Sequence, residues 1–253
     1  MRSIFTVANT IRNGLFTVLG CTLALSGLAQ AQEAESSGGR QIEEVVVTAE
    51  RQESSVQDTS ISITAFTEGM MEDFGIRNQS DLQNLIPATV ILPYDAAIRG
   101  VGRNFRSLGG DPGISTYMNG VYSEDLYTAT IGSFWDIKRI EILRGPQGTL
   151  YGRNAIGGAM NFIYNEPTQE FEGAFKVIGG TFDTIDSYGM ISGALIDDKL
   201  AGRLSISNRT HDGYLTEAGT GPDLDSGKER NVAAQLLLTP RDDFQVKLRY
   251  NDA

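Results

Sequence analysis

Between Arg144 and Ile163 the chain places five glycines, one proline and two arginines, Arg144 and Arg153. Glycine lets one backbone approach another closely, and a guanidinium forks onto carboxylates, so this run suits a compact unit wedged against a polar wall. A phosphate cradle of the form G-x-x-x-x-G-K-[ST] is excluded, because Gly152 and Gly157 are followed by Gly158-Ala159. Enzyme chemistry is poorly provided for. The single histidine is His211 and the single cysteine is Cys21, so Ser-His-Asp and Cys-His constellations are not available in the usual form, and no G-x-S-x-G occurs. Counting also excludes a His/Cys metal centre, and Asp223-Leu-Asp225-Ser-Gly227-Lys228 fails the calcium-loop pattern, which needs glycine at its sixth position. The chain reads as a non-enzyme with no cofactor implied.

The N-terminus predicts export. Met1 to Ala31 holds Arg2 and Arg12, no acidic residue, an apolar stretch from Gly14 to Leu28, and then Ala29-Gln30-Ala31, a small-x-small cleavage site. Val18-Leu19-Gly20-Cys21 loosely resembles a lipoprotein site, but cutting there leaves the apolar Thr22–Leu28 on the mature chain. Removing residues 1–31 takes away two arginines and no acid, which moves the net charge from −11 to −13 and argues against nucleic acid as a partner. No later run approaches the roughly 18 apolar residues of a membrane-spanning helix, so entry into a membrane would be as a barrel.

Three kinds of segment follow. Residues 32–53 start as a small, polar tether, then give Ile42-Glu43-Glu44-Val45-Val46-Val47-Thr48-Ala49, an extended segment suited to adding itself to another protein's sheet edge. Residues 54–167 mix short strands and short helices. Strands are predicted at Ser60–Phe66, Lys138–Leu143 and Gly158–Tyr164, and a hairpin at Ile114–Ser123 about Asn119-Gly120. A helix is predicted from the capping-box spacing Ser80-Asp81-Leu82-Gln83 up to Pro87.

From residue 168 onward the pattern alternates strictly. Phe171, Phe175, Leu204, Ile206, Val246 and Tyr250 fall on one face, and Glu172, Lys176, Arg203 and Lys247 on the other, as in about five apolar-out, polar-in strands of a membrane barrel. Short connections at Asp197-Asp198 and Thr239–Asp242 alternate with the long polar His211–Lys228, which puts the latter, with Thr181–Asp183, on the outer side. About 86 residues follow Pro167, too few to close a 22-strand barrel, so the simplest expectation is an N-terminal piece of a longer receptor.

The 140–163 run, Ile98-Arg99-Gly100, Tyr117-Met-Asn-Gly120-Val-Tyr122 and the 42–49 segment together resemble the TonB-dependent outer-membrane receptors, siderophore type. The resemblance implies an α+β plug domain followed by the first antiparallel strands of a transmembrane β-barrel. It implies that Ile42, Glu43, Glu44, Val45, Val46, Val47, Thr48 and Ala49 form the TonB box, which TonB, energised by the proton-driven ExbB–ExbD complex, pulls upon. It also implies active transport of a scarce substrate, most often a ferric siderophore; cobalamin, an oligosaccharide, an aromatic compound or a non-transporting plug module are the alternatives. Arg99 and Arg144 match the plug arginines that pair with glutamates of the barrel wall. Tyr94, Phe105, Tyr122 and Tyr127 are the candidate substrate contacts. Residues 32–41 leave no room for the signalling domain that some members carry before the box. With no partner present, residues 32–50 are expected to be mobile and to make few contacts with the plug.

Overall fold

A computed structural model describes residues 45–48, 54–92, 95–103, 110–124, 126–130, 133–215, 224–241 and 243–252. The predicted signal peptide, tether and residues 42–44 and 49 of the box lie outside the described residues.

The first half is built on a five-stranded sheet. Its strands are β3 (Ile63–Thr67), β6 (Ile114–Met118), β7 (Val121–Ser123), β8 (Ile137–Arg144) and β9 (Gly158–Tyr164), in the order β3-β8-β9-β6-β7. Only β6 and β9 run parallel. Two-residue strands β1 (Val46–Val47) and β2 (Ser54–Ser55) pair with each other, as do β4 (Thr89–Ile91) and β5 (Ala96–Ile98). The helices are short: α1 (Glu68–Asp73), α2 (Gln79–Leu82), α3 (Leu126–Thr130) and α4 (Gly148–Tyr151).

Period-2 alternation gives the sheet two different faces. Phe66, Ile140, Ile142, Met160 and Phe162 point to a core completed by Met71, Leu82, Leu126 and Ala129 of the helices. The opposite face carries Tyr117, Leu143 and Ala159, which pack with Tyr151, Ala155 and the fully buried Val47. The glycine run acts as its composition suggested. A Cβ on Gly157 would lie 2.7 Å from Ile114 Cδ1, and one on Gly158 would collide with the carbonyl oxygen of Leu143, so β8 and β9 close only over glycine.

Local expectations hold with adjustments. Asn119 (φ 50°) and Gly120 (φ 79°) form the two-residue turn that joins β6 to β7. The helix expected from Ser80 instead starts at Gln79. Asn78 is its cap and Asp81 closes the capping box, and the helix ends at Leu82, well before Pro87. Asn78 wins because its side chain accepts from the backbone of both Ser80 and Asp81, which frees Gln83 Oε1 to accept from Ile91 N.

The second half is a meander of five antiparallel strands: β10 (Glu172–Gly179), β11 (Ile185–Ile196), β12 (Leu200–His211), β13 (Gly227–Arg241) and β14 (Phe244–Asp252). Phe171, Phe175, Leu204, Ile206 and Tyr250 are exposed on the face turned away from the first half, and Val246 is half-buried. The polar face is only partly open to water: Glu172 and Lys247 are exposed and Lys176 is half-buried. Arg203, Ser205, Ser207 and Gln235 are buried against the first half of the chain.

Candidate functional site

Strand β8 positions two constellations. In its middle, Glu141 projects onto the second sheet face and is fully buried. Its Oε1 accepts from Thr48 N at 2.8 Å, from Thr48 Oγ1 at 3.1 Å and from Arg139 Nε at 2.8 Å, while Oε2 accepts from Asn161 Nδ2 at 3.3 Å. Arg139 Nη2 in turn donates to Thr48 Oγ1 at 3.3 Å. Arg139, Glu141 and Asn161 meet because i and i+2 on β8 share a face and Asn161 is the cross-strand partner of Glu141. A buried carboxylate is tolerable only with such a set of charge-assisted donors, and Thr48 supplies two of them.

The expectation of few contacts for residues 32–50 therefore fails for Val45–Thr48. Val46 and Val47 pair with Ser55 and Ser54, Val56 N donates to Val45 O at 3.0 Å, and Val47 has no exposed surface. The valines that make the segment a good strand also make it apolar enough to be buried on a sheet face that would otherwise be bare.

At the far end of β8, Arg99 approaches the turn that follows Arg144. Arg99 follows β5 in a left-handed conformation (φ 53°), with its N donating to Ala88 O, and its Nη1 lies 3.7 Å from the Cβ position of Gly145. Arg99 is exposed and Arg144 half-buried, with Arg144 Nε buried and lacking a hydrogen-bond partner. Among the described residues neither makes an ion pair.

Of the aromatic candidates, Tyr122 joins the second-face packing. Its hydroxyl accepts from Asn154 Nδ2 at 2.9 Å, its ring meets Tyr117 edge-on at 5.8 Å, and the Arg153 guanidinium sits 5.7 Å above it. Tyr94 and Phe105 lie outside the described residues, as does the side chain of Tyr127.

Sequence reasoning missed a third constellation, the seam between the two halves. Register aligns Glu172, Ser192, Arg203, Gln235 and Arg249 in one inward row across all five strands. Four of the five bond to the first half or to the connection after it. Ser192 Oγ accepts from Thr168 N at 3.0 Å, Gln235 Nε2 donates to Asn165 O at 3.0 Å, and the Arg249 guanidinium lies 3.8 Å over the Tyr164 ring. Arg203 forks onto the buried Asp136, with Nη2–Oδ1 at 2.6 Å and Nε–Oδ2 at 2.9 Å. Burial pushes the Tyr164 phenol well above its ordinary range, with Arg249 opposing, so it stays protonated and donates to Ala129 O at 3.0 Å. Trp135 completes the seam, its indole Nε1 donating to Gly189 O at 3.1 Å and its ring packed on Tyr188 at 5.1 Å. The alternation of the strands marked Arg203 as inward, but nothing local marked Asp136 as its partner.

Residues 55–159 match the family described as the TonB-dependent receptor plug domain. The pesticin receptor of Yersinia pestis is 31% identical over 231 residues, covering 87% of this chain and 33% of the relative. The ferripyoverdine receptor of Pseudomonas aeruginosa is 30% identical over 184 residues, 71% of this chain and 22% of the relative. The chain thus spans about a third or less of the length of these relatives. The crystal structure of the ferric yersiniabactin uptake receptor from Yersinia pestis superposes with a TM-score of 0.65 at 26% identity, over 76% of this chain and 31% of that one. A plug sheet that carries the glycine-arginine run, an antiparallel apolar-out meander wrapped on its side, and these likenesses agree: residues 55–159 belong to the TonB-dependent receptor plug-domain family, and the chain resembles outer-membrane receptors of that kind over about a third of their length.

Proposed function

We propose that this protein takes up a ferric siderophore through the outer membrane in a step driven by TonB, itself energised by ExbB–ExbD. The observation that carries the reading is the bonding of Thr48 to Glu141, which makes a pull on the 42–49 box a pull on β8, an inner strand of the plug sheet. TonB would capture the box by strand addition, displacing the two-residue strand β2 from Val46–Val47. The relatives are receptors for pesticin and ferripyoverdine, and the superposed structure is a receptor for ferric yersiniabactin, which supports an iron chelate as substrate. In this reading residues 1–31 are the signal peptide, 32–53 the tether with its box, 54–167 the plug and 168–253 the first five barrel strands, with Phe171, Phe175 and Tyr250 against lipid. Arg99 and Arg144 are the plug's charged contacts to carboxylates of the wall.

The test is radioiron uptake from ferric siderophores by iron-starved cells carrying the protein or its Val46→Pro variant, with and without TonB. Proline removes a strand donor, so surface binding should persist while uptake stops. Undiminished uptake by the variant, or uptake that ignores TonB, would overturn the proposal.

A further inference from the structure

Every strand of the meander has an inward group that ends on the first half of the chain or on the connection after it. Lys176 of β10 pairs with Glu72 of α1 at 2.6 Å, and Gly189 O of β11 accepts from the Trp135 indole. Arg203 of β12 forks onto Asp136, Gln235 of β13 donates to Asn165 O, and Lys247 of β14 pairs with Glu166 at 2.6 Å. The pairs on the two outermost strands are open to solvent, whereas Arg203 and Asp136 between them are closed off.

Neither surface is finished without the other. The inner face of the meander buries Arg203, Ser205, Ser207 and Gln235, and among the described residues only the first half of the chain covers them. A single sheet with one polar and one outward apolar face has no core of its own. On the plug side, Asp136 is buried in a left-handed conformation (φ 66°), which persists only where the surroundings fix it. Its carbonyl accepts from Asn165 N at 3.1 Å and its carboxylate from Arg203. The fit is closest at β10–β12, while β13 and β14 stand off from the plug sheet across a cavity of ≈ 750 Å³. The order of assembly follows from what each step would expose. An open five-stranded sheet entering a bilayer alone would turn Arg203, Gln235 and two unpaired edges toward hydrocarbon. Docked on the plug, those side chains are already bonded. The joining pairs lie 54 to 104 residues apart, and the cost of closing such loops rises only slowly with length.

We infer that the plug has a second function besides its place in uptake: it is the template on which β10–β14 assemble in water, before the sheet meets the membrane, with the Asp136–Arg203 pair as the nucleus. The inference rests on reading β10–β14 as wall strands and is independent of the substrate carried.

The test refolds the chain from urea into buffer free of lipid and detergent, then adds a water-soluble carbodiimide, which joins a carboxylate to an amine only where the two are in contact. Peptide mapping reads the Glu72–Lys176 and Glu166–Lys247 amides, whose partners are 104 and 81 residues apart. Refolding an equal mixture of isotope-labelled and unlabelled chains separates joins within a chain from joins between chains. Both amides should form within single chains in buffer, Glu72–Lys176 first, at yields that later addition of phospholipid vesicles does not raise. Asp136→Asn keeps the shape of the side chain and removes its charge, and should lower both yields in buffer about tenfold. A Glu72–Lys176 amide that appears only once vesicles are present would overturn the inference, because the strands would then assemble at the membrane. Joins between chains in place of joins within them would overturn it as well. Unchanged yields in Asp136→Asn would overturn the part assigned to the Asp136–Arg203 pair.

Discussion

Replacing Arg203 by methionine should detach the plug from β12, and the size of the effect follows from the geometry. Arg203 and Asp136 have side chains 4% and 3% exposed, so the substitution leaves a carboxylate buried with Asn165 Nδ2, at 3.2 Å, as its remaining side-chain donor. Removing one partner of a buried pair costs about 3–5 kcal/mol, whereas replacing both by apolar residues is often close to neutral. Arg203→Met alone should therefore be far worse than Arg203→Met with Asp136→Leu. Trp135, the only tryptophan of the chain, sits at this seam beside Tyr188 and reports its opening directly. Followed by its emission in urea, a loss of about 4 kcal/mol with a slope of about 2 kcal/mol per molar lowers the midpoint by about 2 M. The double variant should recover more than half of that shift. Equal midpoints for the single and double variants would refute the reasoning, since the two side chains would then be uncoupled.

Three further outcomes are expected. Thr48→Val keeps the backbone donor to Glu141 but loses the hydroxyl, a bond to a charged group worth about 1.5–3 kcal/mol, so the Thr48 amide should exchange with solvent roughly ten- to a hundredfold faster; unchanged exchange would mean that Glu141 does not hold the segment. Leu204→Arg puts a charge on the outward face and should cost about 2–4 kcal/mol if the site lies near the bilayer midplane, measurable as loss of heat-resistant protein in the outer membrane; full tolerance would argue against a lipid-facing strand. The Tyr164 phenol is raised by burial, so the unfolded chain gives up this proton at a lower pH than the folded one. Its contribution is complete below the ordinary value of 10.0 and falls as pH rises above it, so Tyr164→Phe should flatten the alkaline arm of a stability–pH curve, and an unchanged arm would show that Tyr164 does not titrate on unfolding.

Strand identity, turn chemistry and facial alternation were legible because they are local. Val45–Val47 read as a strand, Asn119-Gly120 as a two-residue turn, and the period-2 pattern after residue 168 assigned each side chain an inward or outward face before any fold was known. The glycine run announced close approach, and Gly157 and Gly158 are packed where a Cβ would collide. What alternation could not say is what the inward face meets. Ser205, which the period-2 pattern puts on the same inward face as Arg203, is buried beside Trp135 and Tyr164 and not in water, so arginine there would be expelled by packing although the pattern alone would admit it. Nor could sequence reveal that Thr48 ends on Glu141, 93 residues away, or that Asp136 waits for Arg203, 67 residues away. Such pairs depend on how two sheets are stacked. No propensity or spacing encodes the stacking, because it is set by which apolar faces are left bare once the local elements have formed.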